Sequence, residues 1–240
     1  MSRSPIRHCL VVAAVVGLLG ACSGQPSPTP AQQAATQQKA NEAAAQQKLD
    51  LFHKLLKMHQ PQLAVQIGEE ILDKYPHTAA AKEMTDTLPK LKAKAAAQAE
   101  KTRLANLWLY QVSPMAGGTQ STATIGNSKP HDIKANLILR RHTEWGTSVY
   151  LYADQEKGFV CRGECKVAVQ FDGKVHTFHA VTPDDGRPAL MFRHQKDFIS
   201  LLEKADKVTI PVTVQGKGRQ TLVYETGGFN PEKWKPLGKK

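Results

Sequence analysis

VQFDGKVHTF, residues 169–178, is the stretch on which the fold turns. Two runs of alternating apolar and polar residues flank Asp172-Gly173. A two-residue connection of this type needs positive φ at both central positions, which Asp and Gly tolerate, so the stretch predicts a tight antiparallel hairpin. The register follows: Phe171 opposite Lys174, Val169 opposite His176, Val167 opposite Phe178. Successive side chains alternate faces, so His176 shares a face with Val167, Val169 and Phe178 while His179 takes the other. The two histidines cannot grip one metal from a single face, and His176 reads as a half-buried sheet histidine.

Similar short runs, rich in β-branched and aromatic residues, lie on both sides of the hairpin. They are 107–112, 119–125, 135–140, 148–153, 166–172, 174–180, 189–192, 207–214 and 220–225, with a helical stretch at 197–205 on which Phe198, Leu201 and Leu202 share a face. Eight or nine short strands with one helix predict an antiparallel sandwich or open barrel. Upstream the texture is helical. Residues 32–60 are rich in Ala, Gln, Lys, Glu and Leu, and Leu49, Phe52, Leu55, Leu56 and His59 recur at helical steps. A second helix starts at Pro61, with Leu63, Ala64, Ile67, Ile71 and Leu72 on one face, and stops at Pro76. A third starts after the N-cap candidate Thr78, with Pro89 expected to break or kink it before a narrow seam of Leu91, Ala95, Ala99, Thr102 and Ala105. The fold class is α+β: an N-terminal helical hairpin plus a long helix, then an antiparallel β-sandwich with one short helix.

The N-terminus carries an address. Arg3 and Arg7 precede the uncharged residues 9–21. A basic head, a short apolar core and small residues before a cut make a secretory signal. The apolar run falls short of the roughly 20 residues that a helix needs to span a membrane. Leu19-Gly20-Ala21-Cys22 resembles the bacterial lipobox, which implies cleavage before Cys22, a diacylglycerol thioether on its sulfur and an acylated amine. Several acyl chains on one residue anchor far better than one. Ser23 follows the cysteine, and the resemblance therefore favours the periplasmic face of the outer membrane. Residues 23–38 lack large apolar side chains and carry Pro26, Pro28 and Pro30, reading as a stiff, unfolded tether. The expected organisation is a signal at 1–21, lipidated Cys22 and tether at 22–40, a helical segment at 41–106 and a β domain at 107–240.

The second helix also resembles the back half of a tetratricopeptide repeat, with Ala64, Gly68, Leu72 and Pro76 at four-residue spacing; the front-half pattern is missing and only one unit is present. Cys161 and Cys165 remain once the signal and the lipid account for Cys9 and Cys22. Their three-residue loop with a central glycine suits a structural disulfide in an oxidising compartment. A redox pair, usually Cys-x-x-Cys, and half a zinc site are the alternatives. The segment from Ser148 to Gly173, followed by residues 190–234, resembles a domain of Gram-negative envelope proteins distantly similar to the invasion-associated-locus-B and type VI secretion VasI groups. The shared features are a Tyr-Leu strand, Phe-x-Cys-x₃-Cys, a strand ending Phe-Asp-Gly, a short Phe-Ile-x-x-Leu helix, a hairpin and a closing Gly-Phe and Trp. The resemblance covers roughly residues 105–235. It implies a compact β-sandwich with the Cys161–Cys165 bridge and supplies no catalytic residues.

Catalytic patterns are not evident. Ser128 and Ser148 carry no nucleophile signature. His142 and Glu144 lack a third metal ligand. Residues 183–188 read as a turn, and Gly216-Lys217-Gly218 opens no helix as a phosphate loop must. The 240 residues carry a formal charge of +11, and loss of Arg3 and Arg7 with the signal leaves +9. The basic residues form no stripe of the kind nucleic acid requires; the excess reads as a solvated basic surface, or as suited to an anionic partner such as a lipid headgroup, lipopolysaccharide phosphate or an acidic protein. The expectation is a non-enzymatic periplasmic lipoprotein without cofactor or metal, bound to the membrane through its lipid and binding an envelope protein through its β domain, its helical hairpin or both. An inhibitor or immunity lipoprotein acting on a cell-wall hydrolase is the alternative. Replacing Cys22→Ser removes the acceptor for lipid. Ultracentrifugation of lysed cells is expected to find the variant in the soluble fraction, and a variant that still sediments with membranes overturns the anchor.

Overall fold

The structure, a computed structural model, describes residues 29–154 and 158–237; the expected signal and Cys22 lie outside the described residues. The chain folds first into α1 (Pro30–Lys57), α2 (Pro61–Lys74) and α3 (Ala79–Asn106). Thr29 and Gln32 form a capping box, each side chain accepting from the other's backbone N–H, and Pro30 occupies the first turn. Residues 30–40, expected within the tether, are therefore helical. A segment without large apolar side chains cannot build a core, yet Ala and Gln are good helix formers and need only a cap to start. These residues are exposed along that helix.

Phe52, Ile71 and Met84, one from each helix, are fully buried against one another's cluster. Gly68 is the point of closest approach: a Cβ there would lie 2.8 Å from Leu88 Cδ1 and 3.2 Å from Met84 Sδ. Leu63, expected on the buried face, is exposed, as is His59, which takes a positive φ in the turn after α1. Thr78 caps α3 as expected, its Oγ1 accepting from Ala81 N. Pro89 does not end α3; the helix runs through it. Leu88 on one side and Ala95 on the other are buried, so packing keeps the helix continuous despite the lost hydrogen bond. Of the seam beyond it, Ala99 and Thr102 are exposed.

The rest forms β1 (Trp108–Met115), β2 (Gly118–Gly126), β3 (Ala135–His142), β4 (Gly146–Ala153), β5 (Glu164–Phe171), β6 (Lys174–Val181), β7 (Ala189–Phe192), α4 (Gln195–Leu202), β8 (Lys207–Val214) and β9 (Gly218–Glu225). All nine expected runs are strands of one antiparallel sheet ordered β1-β2-β3-β4-β7-β6-β5-β8-β9. Both faces of the expected sandwich come from this sheet wrapping on itself. Val223 N and O of β9 bond Lys129 O at 2.9 Å and Ser128 N at 2.7 Å, joining the far edge to the β2–β3 connection. Tyr224 Oη donates to Ala135 O across the interior, and burial pushes its phenol pKa strongly up. Inward side chains from β1 to β9 share one core, centred on Phe198 of α4, whose ring lies 5.0–5.2 Å from those of Phe171, Phe178 and Phe192. Helix α3 meets this half through Arg103, paired with Glu225 at 2.7 Å, and through Gly228, where a Cβ would lie 2.1 Å from the carbonyl carbon of Leu104.

The hairpin has the expected register throughout, with Asp172 and Gly173 both at positive φ. Its turn also lies at one of the two shortest joins in the sheet; the other is β6 with β7, paired only at Ala180–Phe192 and Val181–Met191. β5 pairs β8 only at Gln170–Thr209 and Phe171–Val208. Pro211, midway along β8, has no N–H to offer and suits a strand edge without a ladder partner. Asp172 compensates: its N donates to Lys207 O, and its carboxylate accepts from the N–H groups of Asp206 and Lys207 at 3.2 and 2.9 Å. Beyond the gap, Val160 N donates to Thr213 O at 2.8 Å and Gln215 N to Gly158 O at 3.0 Å. Cys161 and Cys165, bridged with Cα atoms 5.7 Å apart, close the loop that returns the chain from this contact to β5. Asp172→Ala is expected to lower the unfolding free energy by about 2 kcal/mol through the two lost backbone bonds. Asp172→Asn, which keeps an acceptor and tolerates the positive φ, is expected to lower the urea midpoint less. Equal losses from the two variants would show that the carboxylate does not tie β8.

Candidate functional site

The outward face of β2, β3, β4 and β7 carries the candidate site. Along β4, Val149 and Leu151 point into the core and are fully buried, so the pleat sends Tyr150 and Tyr152 outward. Cross-strand register sets Arg140 beside Ser148, Tyr150 beside Met191 and Tyr152 beside Ala189. With Gln120, Met115, Trp145, Pro183 and Arg187 these residues line a groove of about 510 Å³.

Arg140 is its centre. Its guanidinium carbon lies 5.4 Å from the Trp145 ring centre and 5.3 Å from that of Tyr150, so two rings hold one cation. Nε donates to Ser148 Oγ at 3.1 Å. Among the described residues that is the guanidinium's hydrogen bond, which leaves the Nη1 and Nη2 donors for a ligand. Burial pushes the Tyr150 phenol up, and Arg140 and Arg187 pull the other way. Arg187, on the β6–β7 connection, is matched at 2.7 Å by Asp185, holding that carboxyl below its ordinary value and the guanidinium above its own.

Trp145 owes its position to His142. The buried imidazole accepts at Nδ1 from Glu144 N at 3.1 Å and Trp145 N at 3.2 Å, so the proton sits on Nε2. The two rings stack at 3.9 Å and 11°. Gly146 follows with φ of 72°, completing the β3–β4 turn. A constellation read from sequence as two incomplete metal ligands is thus a turn clamp beneath one wall of the groove. Among the described residues no three His, Cys, Asp or Glu side chains gather as a metal site.

Of the remaining sequence candidates only the 183–188 connection, through Pro183 and Arg187, lines the groove. Ser128 Oγ donates to Val223 O, and Ser148 is occupied by Arg140. His176 is half-buried, edge-on to Phe171 at 5.8 Å, and His179 pairs with Glu164 on the opposite face. The Pro183–Pro188 connection is a turn whose Asp185 is taken by Arg187. Lys217 bonds Asp132 O in the β8–β9 turn. Cys165 lines a separate crevice of about 520 Å³ where β5 and β8 part. The groove was missed although its signal was present: in SVYLYA, Tyr alternates against Val and Leu, placing two tyrosines on the face away from the core.

No protein-family model matches the chain, and no curated protein matches it. Among solved structures, the crystal structure of invasion associated protein B from Bartonella henselae is similar at 15% identity, covering 52% of this chain and 87% of that one, with a TM-score of 0.36. The neighbour belongs to a group that the sequence resemblance names. At this TM-score it carries no argument, and the functional reading rests on the groove.

Proposed function

We propose that the chain is a non-enzymatic lipoprotein of the bacterial envelope, tethered through Cys22 to the periplasmic face of the outer membrane. In this reading it binds a protein partner through the groove on the β2–β3–β4–β7 face. The observation that carries the reading is Arg140, held between Trp145 and Tyr150 with its outer donors uncommitted. A cation fixed in advance by two rings loses little freedom on binding, which is how a site gains affinity without a new contact. The ring-lined concavity is of the size and character of ligand sites. Among the described residues the charged groups at the groove are arginines and an arginine-paired Asp185, and the other ionisable lining residues are tyrosines. That set suits recognition, since acid–base or nucleophilic chemistry needs a poised base.

No helix among the described residues is long and apolar enough to cross a membrane. Attachment therefore falls in this reading to Cys22, and α1 to α3 set the distance between anchor and groove.

A photoreactive amino acid placed at position 152, inside the groove, tests the reading in whole cells. The expected result is a discrete protein adduct that is absent when the label replaces Lys174 at the hairpin tip, the end of β6 away from its pairing with β7 at Ala180 and Val181. Equal labelling at both positions, or none at 152, would overturn the groove as the contact surface.

A further inference from the structure

Resting on the groove as contact surface, we propose that its ligand is an acidic side chain on a short segment of the partner protein, carried beside an apolar residue. The carboxylate lies in the fork of Arg140, and the apolar neighbour rests on Met115 and Met191. A guanidinium offers two parallel N–H donors in one plane, the geometry that matches a carboxylate. Its Nε bond to Ser148 Oγ and the rings on either side hold that plane in position.

Charge selects among anions. Arg187 is already matched by Asp185, so among the described residues lining the groove Arg140 is the one cation without a carboxylate partner. One cation suits a singly charged carboxylate; a phosphate dianion would face Asp185 with half its charge unanswered. Acceptors select against sugars. Gln120 spends one amide N–H on Ser113 Oγ, and among the described lining side chains its carbonyl oxygen and two phenol oxygens are the neutral acceptors. A glycan would bring many hydroxyl donors to these few oxygens. Methionine walls are unbranched and polarisable, and they adapt to varied apolar side chains of a peptide. The chain's positive charge adds steering toward an acidic segment.

The test is a fluorescence-anisotropy titration of the purified chain with an acetylated, amidated pentapeptide, Leu-Leu-Glu-Leu-Leu, and matched probes. Replacing the Glu by Gln is expected to weaken binding about tenfold or more, the loss of charge-assisted hydrogen bonds. Arg140→Gln is expected to erase that difference, and Arg140→Lys, which keeps the charge without the fork, to restore only part of it. Melting curves matching wild type establish that both variants fold. As a check that needs no variant, wild-type affinity for the Glu peptide is expected to fall with added salt while affinity for the Gln peptide stays level.

Three results would overturn the proposal: equal affinity for the Glu and Gln peptides, tighter binding of the phosphoserine peptide or of an acidic disaccharide, or a Gln peptide with a free C-terminus binding as well as the Glu peptide. If any of these occurs while the adduct at position 152 persists, the ligand chemistry fails and the docking surface stands. Loss of the adduct fails the surface itself.

Discussion

The carboxylate of Asp172 ties the two parts of the sheet together where the ladder is too short to do so. Two residue pairs between β5 and β8 are a slight join for a nine-stranded sheet. One side chain adds two acceptors at the start of β8 from a turn that had to contain Asp or Asn for its own backbone reasons. With β8 in place, β9 reaches the β2–β3 connection and Tyr224 reaches Ala135. The interior then closes around Phe198. The outward groove depends on the same closure, because the inward fit of Val149 and Leu151 fixes the outward direction of Tyr150 and Tyr152.

Much of the fold was legible because it is governed by local rules. The Asp-Gly pair specified a hairpin and its register. Alternation marked nine strands, and proline and threonine marked helix starts at Pro61 and Thr78. What escaped was non-local. Residues 30–40 read as tether because they offer nothing to bury, yet a capping box suffices to start a helix that stays exposed. Pro89 read as a break or a kink, and the helix does not end there: the rule for proline counts the lost hydrogen bond and not the packing of Leu88 and Ala95 on either side. Leu63 fits the apolar period but faces away from both neighbouring helices.

The groove escaped for a different reason. Its members come from five strands and two connections, so no window of sequence contains them. Arg140 counted as one of many scattered basic residues, and only the sheet register shows that Trp145 and Tyr150 flank it. Charge totals alone say little about a partner. A single arginine made rigid and left with uncommitted donors says more, because the charge is then paired with a shape.

His142 shows how rigidity is obtained at that wall. With Nδ1 accepting two backbone N–H groups, the ring proton must sit on Nε2, where it is buried without a partner among the described residues. An unmatched buried donor costs about 1–3 kcal/mol. The two amide bonds and the close stack on Trp145 offset that cost, and what they stabilise is the three-residue turn 143–145 that leads into Gly146. A turn held only by its backbone would leave Trp145 free to swing from Arg140, and the cation would lose one of its two faces. The clamp fixes the indole before any ligand arrives, so the ordering is met in folding and not in binding.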